Sequence, residues 1–171
     1  GVIALSLVLQ EDQQLIKDYQ RNRIMAWLQP DEYENTEGYQ QTNSKIAIGS
    51  GQLFGKGLNN NEIASVKNGN FISEPQTDFI FAIIGEELGF VGGCMVIVLS
   101  SLISIECVLA ARRASDIEGA VICSGMAALI GFQSFFNISV ATGIMPNTGL
   151  PLPFVSYGLT SLLSLYIGMG F

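Results

Sequence analysis

Two long apolar runs govern how this chain can fold: Phe90 to Ala110, 21 residues with one charge at Glu106, and Gly119 to Val140, 22 residues with none. A helix needs about 20 mostly apolar residues to cross a hydrocarbon core of about 30 Å, so each run is expected to span a bilayer. A shorter run, Tyr157 to Phe171, would make a further span if it continued, and Gly1 to Leu9 reads as the outer end of another. Phe79 to Gly89 is helix-compatible and extends the first full span at its outer end. The expected fold is an all-α integral membrane protein. It would be a multi-span helical bundle of about four spans, the first and last truncated, with a large outer loop, forming an internal stretch of a larger chain.

Charge sets the orientation. The turn between the full spans, Ala111 to Glu118, carries Arg112 and Arg113, and short basic loops stay in the cytoplasm. Residues 11 to 78 hold six Lys/Arg and ten Asp/Glu, against two and five from Phe79 onward, so the first of these stretches is polar and the second membrane-like. The expected order is 1–10 as the end of a transmembrane helix, 11–78 as a large extracytoplasmic loop, 79–110 as a transmembrane helix with an outer extension and 111–118 as a cytoplasmic turn. Residues 119–140 follow as a second full span, 141–156 as an extracytoplasmic loop and 157–171 as a truncated span. A net charge of −7 with no basic cluster argues against nucleic acid. With no histidine present, His-based triads and zinc sites are excluded from this stretch. Cys94, Cys107 and Cys123 sit in apolar runs without CxxC spacing and read as small packing residues.

Within the polar segment, Pro30 to Gly38, Gly49 to Gly57, Asn59 to Asn61 and Asn68 to Asn70 are rich in turn formers. Asp12 to Leu28 is the exception: an amphipathic helix on the membrane surface would turn Ile16, Ile24, Trp27 and Leu28 towards lipid. The stretch Gly49-Ser50-Gly51-Gln52-Leu53-Phe54-Gly55-Lys56-Gly57 invites comparison with a P-loop but fails it. Only three residues separate Gly51 from Gly55, and Gly57 stands where Ser or Thr must hold the metal. Two readings stay open, a tight structured loop and a nest of amides with Lys56 against a pyrophosphate.

Carboxylates concentrate between Glu74 and Phe90. If Asp78 starts a helix, Ala82, Gly85 and Gly89 follow it along one face and offer a small-residue strip for close packing. Asp78 is then either an N-terminal cap or first-turn acid, or a functional acid at the mouth of the bundle. Glu86 and Glu87, deeper and flanked by apolar residues, are either half of a buried ion pair whose partner lies elsewhere in the larger protein, or functional groups at membrane depth. Gln133 and Asn137 stand at i and i+4 and present adjacent amides to one face, which suits interhelical hydrogen bonds.

Taken together the motifs resemble the SEDS family (FtsW, RodA and SpoVE). The residues that carry the likeness are Tyr19-Gln20-Arg21-Asn22-Arg23-Ile24, Gly38-Tyr39-Gln40, Ala47-Ile48-Gly49-Ser50-Gly51, Gly55-Lys56-Gly57, Glu74 with Thr77-Asp78-Phe79, Glu86-Glu87-Leu88-Gly89-Phe90, and Pro146-Asn147-Thr148-Gly149-Leu150-Pro151-Leu152-Pro153-Phe154-Val155-Ser156-Tyr157-Gly158. They fall in the family's order along nearly the whole chain. Ser73 and Gln76 depart from it, standing where Pro and His are usual. The resemblance implies the C-terminal half of a ten-helix protein, from the end of helix 7 through the large fourth outer loop to most of helix 10.

It also implies an activity: a peptidoglycan glycosyltransferase that polymerises lipid II into glycan strands at the outer face of the bacterial cytoplasmic membrane, for division, elongation or sporulation. The family's catalytic acid corresponds to Asp78. A carboxylate at the bundle mouth suits a general base that takes the proton of the attacking sugar hydroxyl. The departing undecaprenyl pyrophosphate needs positive charge, which Lys56, Arg21, Arg23 or a divalent cation such as Mg or Mn would supply. Glu74, Glu86, Gln133 and Asn137 complete the candidate substrate-binding set. Implied partners are a class B penicillin-binding transpeptidase and the division or elongation machinery. Two other readings remain: a lipid II flippase or transporter lined by Glu86, Glu87, Gln133 and Asn137, and a non-catalytic membrane scaffold for a transpeptidase.

Overall fold

A computed structural model describes residues 18–28, 37–57 and 77–170. They form five helices and, among the described residues, no strand: α1 (Asp18–Leu28), α2 (Glu37–Ser50), α3 (Ile80–Arg113), α4 (Ile117–Ala141) and α5 (Leu159–Met169). Helices α3 and α4 are each long and apolar enough to cross a membrane. Both outrun the apolar stretches that mark them in the sequence. At about 1.5 Å per residue, the 34 residues of α3 reach about 51 Å, well past the hydrocarbon core. The apolar runs at residues 1–10 and the expected helical stretch 12–17 lie outside the described residues.

The hairpin of α3 and α4 turns through three residues, Ala114 to Asp116. Asp116 Oδ2 accepts a hydrogen bond from the Gly119 amide at 3.1 Å, capping α4. Arg112 and Arg113 occupy the last turn of α3, where the helix dipole favours cations. Away from the start of α3 the hairpin wears its apolar side chains outward: Phe90, Met95, Val98, Leu99 and Phe132 are all exposed. Cys94, Cys107 and Cys123 are unbridged.

The core gathers at the other end, where α2, the start of α3, the end of α4 and the loop after α4 converge. One cluster joins Ala47, Phe79, Ala82 and Val140; a second joins Phe81, Ala141 and Leu152. The small-residue strip is buried as its spacing suggests, and Gly85 takes Ile48 of α2 against its backbone.

Helix α2 is the element that the sequence pattern does not announce. Its buried stripe, Gly38, Gln41, Ser44 and Ala47, repeats every three residues but is small and polar. Gln41 Nε2 donates to the carbonyls of Val140 (3.0 Å) and Met145 (2.7 Å), and Ser44 Oγ donates to that of Ala141 (2.8 Å). A helix C-terminus leaves its last carbonyls without partners, and α2 supplies them for α4. In α1, Trp27 does more than face lipid, because its indole N–H donates to the Gly143 carbonyl at 3.0 Å.

Helix α3 is broken at Gly89, whose φ of 68° and ψ of −162° are not helical. In an unbroken helix the Phe90 amide would bond to the Glu86 carbonyl and the Val91 amide to that of Glu87. All four groups bond instead to the glycine-rich loop after α2. Lys56 N and Gly57 N donate to the carbonyls of Glu86 and Glu87, both at 3.0 Å. Phe90 N and Val91 N donate to those of Gln52 (2.8 Å) and Leu53 (3.2 Å). The loop is thus inserted into the helix's own hydrogen-bond ladder, a recognised cause of a kink.

Candidate functional site

Asp78 sits in the turn Thr77–Phe79 that leads into α3, half-buried where α3, α4 and the loop after α4 meet. The N-cap position of α3 is Phe79, whose side chain makes no cap bond. Two side chains hold the turn by its backbone. Ser156 Oγ donates to the Thr77 carbonyl at 2.6 Å, and Asn137 Nδ2 donates to the Asp78 carbonyl at 2.8 Å. Asn137 Nδ2 also donates to the Leu150 carbonyl at 2.7 Å, and Ser156 Oγ accepts from the Leu152 amide at 2.7 Å. The turn and the Pro-rich loop are therefore stitched to each other.

That loop brings a glycine up to the carboxylate. Gly149, at φ 68°, has its amide bonded to Asn147 Oδ1 at 3.1 Å. A Cβ at this position would lie 3.5 Å from Asp78 Oδ2 and 3.9 Å from Arg23 Nη1. The carboxylate, from the turn before α3, and a guanidinium from α1 thus reach the same small residue. Phe154, a few residues on, holds φ 63°, a left-handed conformation costly outside glycine, with its ring edge-on to Tyr166 at 6.1 Å.

The other expected residues divide. Lys56 Nζ pairs with Glu86 Oε1 at 3.2 Å, so the partner of Glu86 lies within this chain rather than elsewhere in a larger protein. Glu86 lies about 9 Å of helical rise beyond Ile80, where α3 starts, which sets this pair apart from the Asp78 turn. The amides of Gly55, Lys56 and Gly57 are spent on the carbonyls of Gly51, Glu86 and Glu87, so the glycine-rich loop is the tight structured loop rather than a nest open to pyrophosphate. Gln133 lines a cleft of about 180 Å³ between α4 and α5 with Ser161 and Ser164, away from Asn137's partners. Arg21 belongs to α1, two residues before Arg23, and Glu74 lies outside the described residues. Ser156 and Gly149, which the sequence offers only as members of the Pro146 to Gly158 motif, also enter the site. Among the described residues no three of His, Cys, Asp and Glu come together. No step below runs through a metal.

The buried pair makes a direct prediction. Glu86 keeps 4% of its side-chain surface exposed and Lys56 28%. Removing one partner of a buried pair strands the other charge at about 3–5 kcal/mol, and the partial exposure of Lys56 places this case near or below the lower figure. Lys56→Met in the full-length protein is expected to lower thermal stability accordingly, and adding Glu86→Gln to recover most of it. Equal midpoints for Lys56→Met and the parent would show that the Lys56 bond is not what holds the buried carboxylate.

Compared with known proteins, the sequence matches the family described as "Cell cycle protein", that of FtsW, RodA and SpoVE, over residues 1–171. The chain belongs to the FtsW/RodA/SpoVE family. Stage V sporulation protein E of Bacillus subtilis (strain 168) is 40% identical over 152 residues, covering 89% of this chain and 40% of that protein. Peptidoglycan glycosyltransferase MrdB of Escherichia coli (strain K12) is 40% identical over 156 residues, 91% of this chain and 41% of that one. The probable peptidoglycan glycosyltransferase FtsW of Neisseria gonorrhoeae (strain NCCP11945) is 41% identical over 154 residues, 88% of this chain and 32% of its own length. This member of the FtsW/RodA/SpoVE family thus spans less than half the length of these relatives. Among solved structures, a chain from work on a peptidoglycan synthase complex that coordinates polymerisation and crosslinking superposes with a TM-score of 0.66 at 29% identity. It covers 99% of this chain and 45% of that one.

Proposed function

We propose that this chain is part of a peptidoglycan glycosyltransferase that polymerises lipid II at the outer face of the bacterial cytoplasmic membrane, with Asp78 as general base. The observation that carries this reading is the convergence of the Asp78 carboxylate and the Arg23 guanidinium on Gly149, in a family whose relatives include named peptidoglycan glycosyltransferases. In the reaction an acceptor sugar hydroxyl loses its proton to Asp78 as its oxygen bonds to the donor's anomeric carbon with inversion. The bond from that carbon to the pyrophosphate oxygen breaks, and undecaprenyl pyrophosphate leaves with both electrons. Arg23, fixed beside the base, is placed to offset charge developing on the pyrophosphate. A site at the outer end of two membrane helices lets the polyprenyl tails stay in lipid while the sugars react in water.

The topology proposed with it has about four spans, the first and last truncated, with residues 11–78 and 141–156 outside and Arg112 and Arg113 inside. A class B transpeptidase and division or elongation proteins are the proposed partners, a likeness to the synthase complex among solved structures supporting the first. Reconstituted full-length protein supplied with labelled lipid II tests the activity: glycan polymer is expected, whereas lipid translocation without polymer would favour a flippase and neither product a scaffold. For topology, cysteines at Ser115 and Asn147 in a cysteine-free background are expected to label from the inside and the outside respectively. Labelling of both from one side would defeat the orientation.

A further inference from the structure

Resting on Asp78 as the base, we infer that Asn137 and Ser156 are its positioning residues, acting through the peptide carbonyls on either side of it. The peptide bond is planar, so the φ and ψ of Asp78 are the angles between its Cα and two rigid planes, one ending in the Thr77 carbonyl and the other in its own. Ser156 Oγ holds the first carbonyl and Asn137 Nδ2 the second. With both planes held, the direction of the Asp78 Cα–Cβ bond is set, which fixes the point from which the carboxylate reaches out. Both donors are almost wholly buried, Asn137 at 1% and Ser156 at 2% exposure, and they come from α4 and from the start of the last helix's approach, far from Asp78 in sequence.

The same side chains place what faces the base. Asn137 holds the carbonyl of Leu150 and Ser156 the amide of Leu152, which registers Gly149 against Asp78 Oδ2. The amide orientation of Asn137 follows from its neighbours, since two carbonyls require two N–H donors. Its Oδ1 is buried without a partner among the described residues. The hydrogen bonds of this side chain therefore lie on its Nδ2 side.

The test uses full-length protein in liposomes with labelled lipid II, with rates taken per folded, lipid II-binding molecule. Asn137→Ala and Ser156→Ala are each expected to lower kcat about tenfold to a hundredfold, the usual effect of a misplaced reacting group, with KM for lipid II within about twofold. Amide exchange should rise in residues 77–82 and 149–153 and stay unchanged in α1 and α2. Ser156→Thr, which keeps the hydroxyl, is expected to keep kcat. Unchanged kcat in both alanine variants while Asp78→Asn is inactive would overturn the positioning role and leave the base in place. An active Asp78→Asn would overturn both. Loss that follows only the folded fraction, with kcat per folded molecule intact, would reduce both residues to structural ones.

Discussion

Asp78→Asn in the full-length protein is expected to stop glycan polymerisation while leaving expression and lipid II binding near those of the parent. The amide keeps the size and shape of the carboxylate but cannot take a proton at neutral pH, and loss of a general base costs about 10² to 10⁴ in rate. The structure gives a reason for the variant to fold. The turn is held through the carbonyls of Thr77 and Asp78, which the substitution leaves untouched. An Asp78→Asn protein that polymerises at most of the parental rate would mean that the carboxylate only balances the charge of Arg23. Arg23→Lys separates the two roles further: it keeps the cation but loses the planar, forked donor set, and should weaken turnover less than Asp78→Asn does.

How much of this was legible follows from what each element buries. The hairpin of α3 and α4 announces itself because its signal is length and apolarity, and the two arginines at its turn stand out by composition alone. Helix α2 escapes because its buried face is Gly38, Gln41, Ser44 and Ala47, whose task is to satisfy the carbonyl end of α4 rather than to hide apolar surface. A search for apolar periodicity cannot find a helix of that kind. The glycine-rich loop shows the converse. Its spacing can be read as a phosphate cradle or as a tight turn, and only the fold decides, since two of its amides are consumed by carbonyls thirty residues away and a third by Gly51. Asp78 was legible as an acid at a helix mouth, yet what aims it was not. Asn137 lies 59 residues on and Ser156 79, and both act through backbone carbonyls that no side-chain pattern records.

Gly89→Ala is the substitution expected to damage the fold most. The glycine holds φ 68° and ψ −162°, a region essentially closed to other residues and worth about 1–3 kcal/mol of strain if one is forced into it. An added Cβ would also run into the Gly55 amide and the Leu53 carbonyl, which belong to the backbone and cannot swing aside. The loop must then leave the ladder, releasing the bonds that Lys56, Gly57, Gln52 and Leu53 make to α3, at about 1 kcal/mol each. Part of that returns if α3 closes into a straight helix, with Phe90 bonded to Glu86 and Val91 to Glu87. Straightening, however, swings the outer turns of α3, and with them the Asp78 turn, away from Asn137 and Ser156. The full-length variant should therefore lose several kcal/mol of stability, on these strain and hydrogen-bond figures, and any folded remainder should polymerise poorly. Gly49→Ala is the control, an exposed helical position with nothing within 4 Å of the new methyl. It is expected to be neutral or to stabilise by up to about 1 kcal/mol. A thermal midpoint for Gly89→Ala equal to that of Gly49→Ala would mean that the break in α3 is not held by the loop, and that the outer end of the helix carries Asp78 to its place without it.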